Sequence, residues 1–122
     1  FQFHFQNDFD FSKVVVYSGT HDNDTLVGWL ETIDEETKES LEKKLEDYQE
    51  EKMYQRIIHY CLDTESSKVI IPIWDIMGKD NTCRFNIPGK IGSPNWEWKL
   101  SSFDGLNEYL DIYKNMIKQS GR

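Results

Sequence analysis

Hydrophobic and polar positions alternate along this chain in stretches that each predict an element. Val14, Val15 and Val16 form a continuous β-branched run, which reads as a fully buried strand over 13–18. The run closes at Gly19. After a polar tip from His21 to Thr25, Leu26, Val27, Trp29 and Leu30 return at helical spacing. Leu41, Leu45 and Tyr48 form a narrow apolar stripe, which predicts an outer helix opened by the capping box Thr32-x-x-Glu35. Met53, Tyr54, Ile57, Ile58, Cys61 and Leu62 repeat at i, i+4 and i+8, so a better-buried helix is expected over 52–63. Thr64 to Ser67 is a turn, and Val69 to Trp74 reads as the next strand. Pro72 cannot donate to a ladder, which demotes that strand's second half or places a bulge there. A closing helix over 103–118 turns Leu106, Leu110, Tyr113 and Ile117 inward. At the start, Phe1, Phe3 and Phe5 alternate as in the end of a strand over 1–6.

Between Asp75 and Ser101 the periodicity fades, and Gly78, Pro88, Gly89, Gly92 and Pro94 mark a long loop. Loops of this length are usually functional or disordered. Trp96 and Trp98 argue for order, since both indoles should seek burial. Strands separated by helices point to an α/β fold of parallel units. There are too few strands here to close a barrel or to build an open sheet covered on both faces.

The chain has 122 residues, enough for one domain, with 38% apolar and 14% aromatic residues. Its net charge of −8 is concentrated in one place: Glu31 to Glu51 holds ten acidic residues against three lysines, a balance of −7. A solvated acidic helix explains that without a partner. A nucleic-acid partner would need a basic patch, and none is visible. No apolar run has the length of a membrane span. The chain begins on Phe1 without an initiator Met or a signal-like segment, so the expectation is a cytoplasmic protein or a piece of one. The Phe1–Phe5 alternation favours a piece. Cys61 and Cys83 are too few for a disulfide framework and too far apart for a zinc knuckle. Cys61 falls on an apolar helical face and should be a buried thiol, whereas Cys83 lies in a polar loop.

Chemistry is concentrated in two stretches. His21-Asp22-Asn23-Asp24 sits at the carboxyl end of a strand, where α/β folds keep their sites. An adjacent imidazole and carboxylate can each hold a hydroxyl, and a carboxylate steadies a developing positive charge. The same residues also suit a strand-to-helix turn with Asp24 as the helix cap, and both readings stay open on chemistry alone. Four consecutive residues rarely converge on a metal, so no metal site is expected. The second stretch is Arg84-Phe-Asn-Ile-Pro-Gly89 followed by Gly92-Ser-Pro-Asn-Trp-Glu-Trp98. Arg84 and Asn86 could grip hydroxyls and a tryptophan could stack on a sugar, although a Pro-Gly turn and core-filling indoles are the preferred reading from chemistry alone.

Gly-Thr-His-Asp-Asn-Asp-Thr, Val-Ile-Ile-Pro-Ile-Trp-Asp, Arg-Phe-Asn-Ile-Pro-Gly and Asn-Trp-Glu-Trp follow one another in the order and rough spacing of one family. Over nearly its whole length the chain resembles the C-terminal part of the 4-α-glucanotransferases, the amylomaltase or disproportionating enzymes. The resemblance implies the C-terminal part of a (β/α)8 TIM barrel of the α-amylase-like type. It also implies transfer of α-1,4-glucan segments to the 4-hydroxyl of a maltooligosaccharide, with retention and without a cofactor. Asp22 matches the family's third carboxylate, which holds the sugar's 2- and 3-hydroxyls and stabilises the oxocarbenium-like transition state. His21 matches its hydroxyl-binding partner, and Arg84, Asn86 and Pro88 fall in a loop near the sugar subsites. The sequence departs from the family pattern at Trp74, where glutamine is usual, at Pro94, where glycine is usual, and at Lys99, where arginine is usual.

Retaining transfer needs a nucleophile and a general acid about 5–5.5 Å apart. By the resemblance both lie on earlier barrel strands, ahead of Phe1. The chain alone is therefore expected to be an inactive fragment that can self-associate through its open edges. The alternative is a non-catalytic module that binds glucan or protein through Trp96, Trp98 and the Arg84 loop.

Overall fold

The computed structural model describes residues 9–122, so the strand expected over 1–6 lies outside the described residues. A 3-10 turn at Phe11–Lys13 leads into strand β1, Val15–Tyr17. Strand β2, Lys68–Ile70, pairs with it in parallel, in the register Val15↔Lys68, Val16↔Val69 and Tyr17↔Ile70. The parallel α/β arrangement expected from the alternation of elements is present. The expectation of a fully buried first strand is corrected: Val16 is buried, while Val15 and Tyr17 are exposed. Successive side chains of a strand point to opposite faces, and the helices cover one face of this pair among the described residues. Val16 and its register partner Val69 turn toward those helices.

Helix α1, Leu26–Leu30, is capped by Thr25, whose hydroxyl accepts the Gly28 N–H at 3.1 Å. Helix α2, Glu35–Lys44, starts at Asp34, which accepts the Thr37 N–H at 2.8 Å. The expected Thr32–Glu35 capping box is thus displaced by two residues. Thr32 instead donates back to the Trp29 carbonyl at 2.8 Å. An anionic Asp at the cap, followed by Glu35 and Glu36 and closed by Lys43 and Lys44, suits the helix dipole better than a threonine. Leu41 and Leu45 are buried, as their stripe predicts. Helix α3, Met53–Asp63, places Ile57, Ile58, Cys61 and Leu62 in the core. Burial pushes the Cys61 thiol up to about 12, with the nearby Asp75 adding to the shift.

Beyond β2 the expected strand breaks early. Pro72 has φ −61° and stands at the start of the short helix α4, Ile73–Ile76, so Trp74 is helical and not extended. A proline ring fixes φ near this value and removes a donor, which ends the ladder and opens a helix at little cost. Most of 77–105 is irregular, with one 3-10 turn at Asn81–Cys83. The last helix, α5, is Leu106–Gln119. Its buried face is rotated from the expected one: Tyr113 and Met116 are buried and Tyr109 packs beside them, whereas Leu110 and Ile117 are exposed. The Tyr113 hydroxyl donates to the Ile76 carbonyl at 2.9 Å, tying α5 to α4. The Thr64–Ser67 turn is fastened by Arg122, whose guanidinium donates to the carbonyls of Leu62, Thr64 and Ser66 at 2.6, 2.8 and 2.7 Å. In the same turn the Ser66 hydroxyl donates to the Val14 carbonyl at 2.5 Å. No described helix is long and apolar enough to cross a membrane.

Candidate functional site

Parallel strands send their following loops to the same end of the sheet, so the loop after β1 meets the loop after α4 there. The first of these loops is shaped by its own polar side chains. Asn23 Oδ1 accepts from the Thr20 N–H at 2.8 Å and lies 2.9 Å from the Thr20 hydroxyl, while the Asn23 N–H donates to the Thr20 carbonyl at 3.1 Å. His21 and Asp22 are left at the tip.

Both ends of this loop are fixed by one carboxylate on α4. Asp75 is 1% exposed; Oδ2 accepts the Ser18 hydroxyl at 2.6 Å and Oδ1 accepts the Leu26 N–H at 2.9 Å. Burial raises its pKa above the ordinary value, against the lowering effect of the two hydrogen bonds. A lone carboxylate within the apolar run Ile71 to Ile76 is the sequence signal that could have found it.

Asp22 does not cap a helix, because Thr25 holds that position. Its Oδ1 accepts from Asn86 Nδ2 at 2.7 Å, and its Oδ2 lies 3.3 Å from His21 Nε2. The His21 and Asp22 side chains are 49% and 48% exposed, so their polar atoms stay available to a ligand.

Arg84 joins the two loops. Its Nη1 pairs with Asp24 Oδ1 at 2.6 Å, its Nη2 donates to the Asp22 carbonyl at 2.7 Å and its Nε to the Asn86 carbonyl at 2.8 Å. Asp24, which the sequence also suits as a helix cap, is instead the partner of Arg84. Asn81 completes the junction, donating to Asp24 Oδ1 at 3.2 Å and accepting the Thr25 N–H at 3.0 Å. It packs so closely on α1 that a Cβ at Gly28 would fall 2.2 Å from Asn81 Cγ. No pattern in the sequence announces Asn81.

Of the residues singled out from the sequence, His21, Asp22, Arg84 and Asn86 come together. Pro88 does not join their hydrogen-bond network; it is exposed in the turn that the Lys90 N–H closes onto the Ile87 carbonyl at 3.2 Å. Asn95 holds that turn from the other side, accepting the Ile87 N–H at 2.9 Å and donating to the carbonyls of Ile87 and Lys90 at 3.1 and 2.8 Å.

The expectation that both loop tryptophans are buried is corrected at Trp96, which is 59% exposed. Its backbone is left-handed, with φ 64°, and its N–H donates to the Phe85 carbonyl at 2.8 Å. Main-chain and Asn95 hydrogen bonds hold this part of the loop in place of core packing. Trp98 is half-buried and meets Trp74 edge-on at 6.0 Å. Among the described residues no cluster of three His, Cys, Asp or Glu is arranged to hold a metal ion. The site thus offers an exposed carboxylate and imidazole on a braced loop, able to bind hydroxyls and to steady positive charge.

Residues 2–106 match the family model described as 4-alpha-glucanotransferase. The chain is 37% identical over 112 residues to the chloroplastic/amyloplastic 4-alpha-glucanotransferase of Arabidopsis thaliana, covering 88% of this chain and 19% of that one. It is 33% identical over 107 residues to the 4-alpha-glucanotransferase of Synechocystis, covering 88% and 21%. Among solved structures it is similar to the amylomaltase from Streptococcus agalactiae in complex with acarbose. That match has a TM-score of 0.83 and 25% identity, and covers 91% of this chain and 22% of that one. The chain spans about a fifth of the length of the curated relatives it matches.

Proposed function

The chain belongs to the 4-alpha-glucanotransferase family, and from that membership we propose that it supplies, within a whole enzyme, the carboxylate that steadies the sugar at the exchanged bond. That carboxylate is Asp22. The observation that carries this reading is its environment: it is half-exposed, oriented by Asn86 and His21, and free of any capping duty. We read the two parallel strands and their helices as the C-terminal part of a (β/α)8 barrel. The likeness to the amylomaltase supports this.

In the proposed reaction an α-1,4-glucan or maltooligosaccharide is cleaved with retention and passed to the hydroxyl of an acceptor sugar. As the glycosidic bond breaks, the ring gains positive charge, and a carboxylate within reach binds that state better than the ground state. His21 assists by holding a hydroxyl, and Arg84 and Asn86 keep the Asp22 loop in position. Pro88 shapes the turn that borders the sugar path. The acarbose in the neighbour's complex, an oligosaccharide analogue, supports a glucan ligand.

Retaining transfer also needs a nucleophile and a general acid. Two other carboxylates of this junction are committed: Asp24 to Arg84 and Asn81, and Asp75 to Ser18 and Leu26. By the resemblance to the family we assign both roles to other parts of the whole enzyme, and this chain by itself should not disproportionate maltotriose. For location we keep the cytoplasm, with the plastid named for the plant relative as the competing compartment.

The test is Asp22→Asn in the whole enzyme. Turnover should fall by about a thousandfold with KM little changed, since the lost contact strengthens in the transition state. A change confined to KM would reject this role for Asp22.

A further inference from the structure

We propose that the Trp96 indole is a stacking platform for a glucose ring adjoining the one that Asp22 holds. This deepens the reading of Asp22 as a sugar-binding carboxylate and rests on it. The indole lies beside that carboxylate's partner: its ring centre is 5.0 Å from that of His21, whose Nε2 is 3.3 Å from Asp22.

Three features separate Trp96 from a core aromatic. It is 59% exposed, although an indole is among the side chains with most to gain from burial. Neither ring neighbour lies flat against it, since Phe85 meets it at 80° and His21 at 42°. Its backbone is left-handed, which is costly for a bulky residue and persists only where the surroundings enforce it.

Those surroundings are polar. The Trp96 N–H is held by the Phe85 carbonyl, Asn95 makes three hydrogen bonds to Ile87 and Lys90, and the Ser93 hydroxyl donates to Glu97 at 2.8 Å. The loop therefore sets the indole in place before a ligand arrives, which lowers the ordering cost of binding.

The chemistry around the platform selects the ligand. A pyranose presents C–H groups on its faces and hydroxyls around its edge. Trp96 offers an apolar face, and Asp22, His21 and Asn86 offer acceptors and donors alongside it. The Asp22 carboxylate repels phosphate, which disfavours a nucleotide on the same ring.

The experiment uses the whole enzyme carrying Trp96→Ala, Trp96→Leu or Trp96→Phe, with Asp22→Asn in parallel. KM and kcat are measured on maltotriose and maltoheptaose. Loss of one aromatic contact face should raise KM by about tenfold in the Ala and Leu variants, with the smaller part of the loss in kcat. The Phe variant, which keeps a flat ring, should recover most of the affinity. An unchanged KM in Trp96→Ala overturns the platform, whatever Asp22→Asn does. So does a Phe variant as impaired as the Ala variant with the same fall in melting temperature, because the ring would then be structural. If Asp22→Asn keeps its turnover, the role of Asp22 is what fails; if it loses turnover while Trp96→Ala binds normally, only the platform fails.

Discussion

The buried Asp75 carboxylate accepts the Ser18 hydroxyl at 2.6 Å, fastening the end of β1 to α4. Its other oxygen takes the Leu26 N–H at 2.9 Å, so the start of α1 is bound to the same point. One side chain that faces no ligand thereby spans the loop on which His21 and Asp22 ride.

Replacing Asp75 with Ala leaves a buried hydroxyl and an N–H unpaired, and should cost about 2–4 kcal/mol of stability in denaturant titration. Asp75→Asn keeps an acceptor and should cost less. Because burial raises the folded-state pKa above 3.8, the native state holds the proton more tightly than the unfolded chain. The contribution of Asp75 is therefore fullest below 3.8 and declines as pH rises through the raised value. The stability advantage of wild type over Asp75→Asn should shrink from about pH 4 to pH 7. A margin that widens toward neutrality would contradict the sign.

Arg84 and Asp24 are the ionic part of the junction between the two loops, and both side chains are largely buried. A double-mutant cycle of Arg84→Ala and Asp24→Ala should give a coupling of about 1–3 kcal/mol in stability. In the whole enzyme Arg84→Lys should restore little of the lost activity. A single ammonium cannot reach the three oxygens that the guanidinium holds together. Activity within threefold of wild type for Arg84→Lys, about 0.6 kcal/mol or less, would show that charge alone suffices.

Gly28 leaves room for Asn81. A Cβ 2.2 Å from Asn81 Cγ must expel that side chain and break its bonds to Thr25 and Asp24. Gly28→Ala should cost about 1–3 kcal/mol, and Gly28→Ala with Asn81→Gly should cost clearly less than the sum of the two. Additive costs in thermal melts would place the strain elsewhere.

What could be read from the sequence followed from local rules. Helical spacing located α3 to within a residue, because six apolar positions on one face leave few alternatives. The β-branched run located β1 but not its burial, which depends on what covers each face of a sheet. Pro72 signalled a break without saying that a helix would follow. For α5 the apolar positions allow two overlapping stripes that share Tyr113, and which one is buried depends on how the helix packs on the rest of the core. At the site, His21, Asp22, Arg84 and Asn86 were legible as motif residues. A lone carboxylate in an apolar run marks Asp75 but not its bracing role, and nothing marks Asn81, since both roles exist only across gaps of 57 and 56 residues. Trp96 was expected in the core because indoles usually are, and a left-handed backbone at that position is not written in composition or spacing.

The Ser66 and Arg122 fastening sits at the opposite end of the two strands from Asp22, where Ser66 reaches the residue just before β1. That fastening uses none of the side chains around Asp22. Added stability can therefore be sought at the foot of these strands while the loop that carries Asp22 is left as it is.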